Sequence, residues 1–393
     1  MSVNPSARRR LTLLFAAALA CLPAIAGERA PERITPLLLS IQVAPIPVAG
    51  SDGQTHLVYE LWIDNFSSAE SVVEKIEVLA GDRVLHTLDG DALAGRLRPG
   101  GQNIAGASLA KSTLNFAAMH LSLPRGANVP RRLSHRVTGK VRAAPPGQQQ
   151  IVQTGAEVAV ENREAVVIGP PLRGERYIAA DSCCDAVRHT RAALPVNGRI
   201  RLAQRFAVDW EQLDAQGRIY NGPQKTLTSY TIFGQPVLAV ADARVVSVVD
   251  GLPEQTPGTY PENIAIEDAD GNSVVLDLGG GRHALYAHMQ PGSIAVKPGE
   301  RVRRGQVLGR VGNSGNSVAP HLHFHVMDGP SPLDSNGLPY RIDTFWVSGN
   351  APSTDAFDDA EAKGTPLAVI PVTPPRQVSR SLPMDQLIVR FGP

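Results

Sequence analysis

Apolar residues in this chain recur with a period of two, in short runs that glycine and proline interrupt. That spacing sends alternate side chains to opposite faces of an extended strand and restricts the chain to β architecture. In residues 31–164, Tyr59, Leu61 and Ile63 alternate with Glu60, Trp62 and Asp64, residues 72–79 turn through Gly81-Asp82 into 84–88, and further runs cover 114–123 and 133–141. Strands and turns so spaced predict a β-sandwich, immunoglobulin-like, over residues 27–165. His56, His86, His120 and His135 are scattered through it without forming a cluster. Beyond Gly169-Pro170-Pro171, strand patterns recur at 200–210, 236–249, 262–267, 273–278, 283–289, 301–311 and 321–326. No ten-residue helical pattern lies between them, which argues against a parallel α/β sheet. A second all-β domain is expected over residues 170–350, with 351–393 as a tail packing on it as irregular chain plus one strand.

With 43% hydrophobic residues among 393, the chain can bury two cores, and 36 Gly and 32 Pro exclude a long-helix protein. A formal net charge of +1 supplies no basic field for nucleic acid. Residues 1–26 read as an export signal: Arg8, Arg9 and Arg10 precede an apolar stretch at 11–20, and Ala24-Ile25-Ala26 offers a small-residue cleavage site. Cys21 is an alternative, lipoprotein-type processing site. Removing the segment takes away three Arg and no acid, which turns the net charge from +1 to −2. The expected location is periplasmic or secreted, with membrane contact only during export. Only Cys183 and Cys184 then remain, and an adjacent pair cannot staple distant parts of the chain. A structural role is expected for them, as a vicinal disulfide or as two thiols.

Six of the ten histidines lie after residue 180, and three of them alternate with apolar residues in Pro320-His321-Leu322-His323-Phe324-His325. On a strand, Leu322 and Phe324 enter the core while His321, His323 and His325 share the other face. His-x-His on one strand aims two rings at one point, an arrangement suited to Zn²⁺. Spacing alone leaves open which ring would bind. Asp209 stands at the end of the 200–210 strand among its polar residues, and His288 ends the 283–289 strand ahead of Gln290-Pro291-Gly292.

Between about residues 198 and 345 these elements resemble the LytM/lysostaphin-type zinc metallopeptidases, which cut peptide bonds in peptidoglycan. The resemblance rests on Arg205-Phe206-Ala207-Val208-Asp209, Gly234-Gln235-Pro236-Val237, Ala239-Val240-Ala241-Asp242 and Gly271-Asn272-Ser273-Val274. It continues through Leu285-Tyr286-Ala287-His288, Val302-Arg303-Arg304-Gly305-Gln306, and Gly312-Asn313-Ser314-Gly315-Asn316-Ser317 leading into the histidine strand. It implies an antiparallel sheet of barrel-sandwich type, one Zn²⁺, Asp209 and His323 as ligands, and His288 and His321 as the catalytic pair that positions water and stabilises the transition state. The implied substrate is the peptide stems of peptidoglycan.

One position departs from the family pattern. Arg205 stands four residues before Asp209, where many members carry the first His ligand, and a guanidinium does not coordinate a cation. A subset of the family supplies that His from upstream; here the candidate is His189, with Cys183 or Cys184 as a thiolate alternative. His325 replaces a Glu often found there and is a candidate for orienting a ligand. The alternative to an exported zinc endopeptidase is an inactive LytM-like domain that binds peptidoglycan or regulates a partner hydrolase. A biotinyl or lipoyl carrier is disfavoured because no lysine occupies a hairpin tip in the 299–312 pattern.

Overall fold

The computed structural model describes residue 1 and residues 34–392, except 103 and 186; residues 2–26 of the expected export signal lie outside the described residues. Pro36–Pro393 form one compact unit.

Two five-stranded sheets come first. One orders Leu37–Ser40, Thr55–Asn65, Leu114–Leu123 and Leu97–Pro99, with Val48–Ala49 on the side; the other orders Gln150–Ala159, Arg132–Val141, Ser71–Ala80 and Arg83–Asp89, with Ser108–Leu109. Leu57, Tyr59, Leu61 and Ile63 of the first meet Val73, Ile76, Leu133 and Val137 of the second in a shared core. The alternation in 59–64 therefore selects a buried face as expected, but the opposite face is also covered. Trp62 packs with Phe116 and Leu202, and Glu60 is 3% exposed against Arg205. His56 and His120, far apart in sequence, are hydrogen-bonded at 2.9 Å because Thr55–Asn65 and Leu114–Leu123 pair in register.

The larger sheet has twelve strands, and its central run is Leu387–Phe391, Gly174–Ala180, Val208–Gln212, Leu322–Met327, Arg282–Met289 and Asn272–Gly279, all antiparallel. Trp210, Tyr286, Phe324, Tyr340, Phe345 and Phe391 fill the core on one side of it. Three local expectations are corrected. Residues 200–210 do not form one strand: Arg199–Arg201 and Val208–Gln212 are separate, with turns at 203–206 that let Arg205 point away from the sheet to Glu60. Residues 262–267 form no strand and end in a 3₁₀ turn, Ile266–Asp268. The tail contains a helix, Thr354–Lys363, capped by the Ser353 hydroxyl and stopped by left-handed Gly364, followed by strands Ile370–Ser381 and Leu387–Phe391.

Cys183 and Cys184 are joined as a vicinal disulfide, and both are buried.

Candidate active site

Three adjacent strands set the site. The registers Asp209↔His323 and Ala287↔His323 put Asp209, His323 and the end of the 282–289 strand side by side. His323 Nδ1 is 2.8 Å from Asp209 Oδ1, and His321 Nε2 is 3.6 Å from the same oxygen. His323 Nε2 meets His325 Nδ1 at 2.9 Å, so the period-two rule does gather the three imidazoles on one face. Leu322 and Phe324 enter the core. His189 arrives from a short helix, Val187–Thr190, and its Nε2 is 3.3 Å from Asp209 Oδ2. The loop carrying it is tied down by Asp185, which accepts from both Arg96 (2.6 Å) and Arg191 (2.7 Å). His288 lies 4.6 Å from His321 and 5.8 Å from His323, ring centre to ring centre.

The site's backbone is unusual where aim matters. His288 has φ of +60° and Asp181 +49°, a region that non-glycine residues seldom occupy. The His288 N–H donates to the Asp270 carbonyl, and the Asp181 carbonyl accepts from His189 Nδ1 at 2.7 Å. The glycine and serine motif explains itself here. Ser314 Oγ accepts from the Asn272 N–H and donates to the Met289 carbonyl, and the Ser314 carbonyl accepts from His288 Nδ1 at 2.8 Å. A Cβ at Gly315, whose φ is +76°, would collide with the backbone of Gly271 and Ala269.

These hydrogen bonds fix the tautomers, because a carbonyl oxygen only accepts. His189, His288 and His321 each donate Nδ1–H to a backbone carbonyl, of Asp181, Ser314 and Ala319 respectively, and each keeps Nε2 for the cleft. Burial, reinforced by His321 and His323, holds His288 well below the usual imidazole range. Burial also lowers His321, against the pull of Asp209, and holds His325 well below its ordinary value. For His189 burial is outweighed by Asp209, Asp181 and its hydrogen bonds, which push it up to about 9. Asp209 sits well below the ordinary carboxylate value, since His189, His321 and His323 outweigh its burial.

The folded value of His189 lies above the unfolded 6.5, so the stabilisation it brings is complete below pH 6.5 and is lost as pH rises through about 9. Urea melts of chelator-treated protein between pH 6 and pH 10 are expected to show this fall, and His189→Gln is expected to lose that component of it.

A cleft of about 550 Å³ opens over these residues. His189, Asp209, His288, His321 and His323 line it together with Asp358 and Glu361 of the tail helix. Glu211, also a lining residue, is raised well above the usual carboxyl range by burial and by Glu361; burial, with Asp358 next, pushes Glu361 up to about 7. Neither glutamate was singled out in the sequence, and the only signal was the position of Glu211 two residues after Asp209. Two triads, His189-Asp209-His323 and His288-His321-His323, bring one donor atom from each member within 4.8 Å of one another and could hold a metal ion. Cys184 instead groups with His56 and His120. Arg205 is engaged elsewhere: its guanidinium donates to both Glu60 oxygens at 2.8 Å and to the Gly337 carbonyl at 3.0 Å.

Residues 225–335 match the model of peptidase family M23, a span that includes His288, His321 and His323 and follows His189 and Asp209. The peptidoglycan DD-endopeptidase ShyA of Vibrio cholerae is 37% identical over 65 residues, 16% of this chain and 15% of that protein. The DD-carboxypeptidase/endopeptidase Mpg of Neisseria meningitidis is 31% identical over 103 residues, 26% of this chain and 23% of that protein. The chain thus spans less than a quarter of the length of these curated relatives. The solved catalytic domain of lysostaphin from Staphylococcus simulans is 21% identical, covering 42% of this chain and 88% of that one, with a TM-score of 0.23. This chain carries a peptidase family M23 domain over residues 225–335.

Proposed function

We propose that the protein is an exported zinc endopeptidase that hydrolyses peptide bonds in peptidoglycan cross-links, acting in the periplasm or outside the cell. The observation that carries this reading is the convergence of His189, Asp209 and His323 within 4.8 Å at the floor of a cleft that also presents His288 and His321. The donor set fits Zn²⁺: two imidazoles and one carboxylate match a catalytic site with an open position. His189 commits Nδ1 to a carbonyl and would give up its Nε2 proton, now beside Asp209, to bind the metal there, while His323 would use Nδ1, the atom facing Asp209. Among the described residues no helix is long and apolar enough to cross a membrane.

The chemistry zinc supplies at such a site is polarisation of the scissile carbonyl and a lowering of water's pKa to about 7. The protein's own contribution is proton handling. His288 and His321 are neutral and bear Nδ1–H, so each can only accept at Nε2. A ring that has taken the proton of the attacking water becomes an Nε2–H donor, able to hydrogen-bond the developing oxyanion or protonate the leaving amine. Asp209, 3.6 Å from His321 Nε2, favours that charged form. With Nδ1 given to a metal, His323 would carry its proton on Nε2 and donate it to His325 Nδ1, 2.9 Å away.

Elemental analysis tests the reading. Wild type is expected to hold about one zinc per chain (a three-ligand site) and to digest purified peptidoglycan, while His189→Ala and His323→Ala hold none. A wild type that stays metal-free after remetallation, yet binds peptidoglycan, would overturn it in favour of an inactive binding domain.

A further inference from the structure

Beside the residues proposed to hold zinc, the cleft is lined by polar side chains to which the proposed hydrolysis gives no task. Glu211 and Tyr230, 5% and 3% exposed, and Glu361 all line the cleft. Glu211 Oε2, Glu361 Oε1 and the Tyr230 hydroxyl are buried without a hydrogen-bond partner in the protein. Buried polar atoms left unpaired are costly, and native proteins keep them mainly where something else satisfies them. The other acids of this wall are already matched: Arg188 bridges Asp181 at 2.7 Å and Asp358 at 2.6 Å. Among the described residues no Lys or Arg forms an ion pair with Glu211 or Glu361. All three side chains line the same cleft. A metal ion is a poor match, because neither glutamate joins any group of three His, Cys, Asp or Glu donors close enough to share an ion.

The two carboxyls and the Tyr230 hydroxyl offer acceptor oxygens in a partly enclosed wall, and a primary ammonium, with three donors and one positive charge, would displace the carboxyl protons to solvent and pair with the oxygens. We propose that Glu211, Glu361 and Tyr230 form a subsite for the side-chain ammonium of the peptide substrate, so that the cleft selects peptides carrying a free amine beside the bond to be cut. The inference rests on the peptidase reading only in taking the ligand to be a substrate. The tail helix is then a specificity element, because it supplies Glu361 to a floor built by the sheet.

The test is calorimetric and needs no hydrolysis. Purified full-length chain, stripped of metal, is titrated with acetyl-Ala-Lys-Ala-amide and with its norleucine counterpart, which lacks only the ammonium. The lysine peptide is expected to bind at least tenfold more tightly, and that advantage is expected to fall below about twofold in Glu361→Gln and in Glu211→Gln (each removes a carboxyl that the ammonium would ionise and pair with). Glu361 lies on a surface helix, so its variant keeps the test open if Glu211→Gln fails to fold. Equal affinity for the two peptides in wild type overturns the proposal, as does an advantage that survives Glu361→Gln, which would place the ammonium at Asp209. Pentylamine binding as tightly as the lysine peptide would assign the subsite to free amines and overturn the substrate role. Failure of any arm leaves the peptidase reading intact, whereas zinc-loaded wild type that cleaves no peptidoglycan overturns that reading alone.

Discussion

His288→Ala and His321→Ala are expected to keep their zinc and lose 10²- to 10⁴-fold in kcat, the range contributed by a positioned acid or base. The expectation follows from where the rings are held. Each is anchored through Nδ1 to a carbonyl of the 312–319 loop, so neither ring is needed to build the His189-Asp209-His323 triad. The fall in rate corresponds to about 3–5 kcal/mol of transition-state stabilisation. KM for a peptidoglycan fragment is expected to stay within a few-fold, since a group that acts only on protons in flight adds little to ground-state binding. Zinc content measured beside steady-state kinetics separates this outcome from the behaviour of His189→Ala. A His288→Ala enzyme within threefold of wild-type kcat would remove that residue from the proposed mechanism.

Glu60→Ala is expected to destabilise the fold by about 3–5 kcal/mol, the penalty for leaving one member of a buried ion pair without its partner. Arg205 and Glu60 are each 3% exposed and joined by two parallel hydrogen bonds, and removing the carboxylate leaves the guanidinium with only the Gly337 carbonyl. Replacing both together, as Glu60→Leu with Arg205→Met, is expected to recover most of the loss, because an apolar pair of similar volume carries no desolvation cost. Urea denaturation of the three proteins closes the cycle. A Glu60→Ala loss below about 1 kcal/mol would rank the pair with surface salt bridges instead.

The sequence revealed those parts of the site that one strand carries and hid those that distant strands bring. His321, His323 and His325 were assigned to one face because a period of two leaves no other arrangement, and they do share it. Gly315 and Ser314 belong to a local motif, and the close backbone approach they permit is local too. The 200–210 run was misread as continuous because Arg205 alternates correctly with Asp209; what breaks the strand is a carboxylate 145 residues earlier. Glu361 was invisible because a tail rich in small and acidic residues shows little helical periodicity, and its helix is fixed by the Ser353 cap and by burial of Phe357 and Ala360. Asp181 enters through a carbonyl in a left-handed conformation, and nothing in the identity of the residue announces that.

The order of strands in the large sheet bears on how the molecule comes into being. Strand Leu387–Phe391 is wedged between Gly174–Ala180 and Tyr340–Asn350, and Gly174–Ala180 in turn supports the strand of Asp209. Neighbours some two hundred residues apart must therefore meet before the centre of the sheet can close, a costly, late event for a chain made from its amino end. Until those residues leave the ribosome, Gly174–Ala180, the strand that flanks the Asp209 strand, has an open edge. Pairing of that flanking strand on both its edges therefore waits on the end of the chain, and with it the full support of the residues that line the cleft.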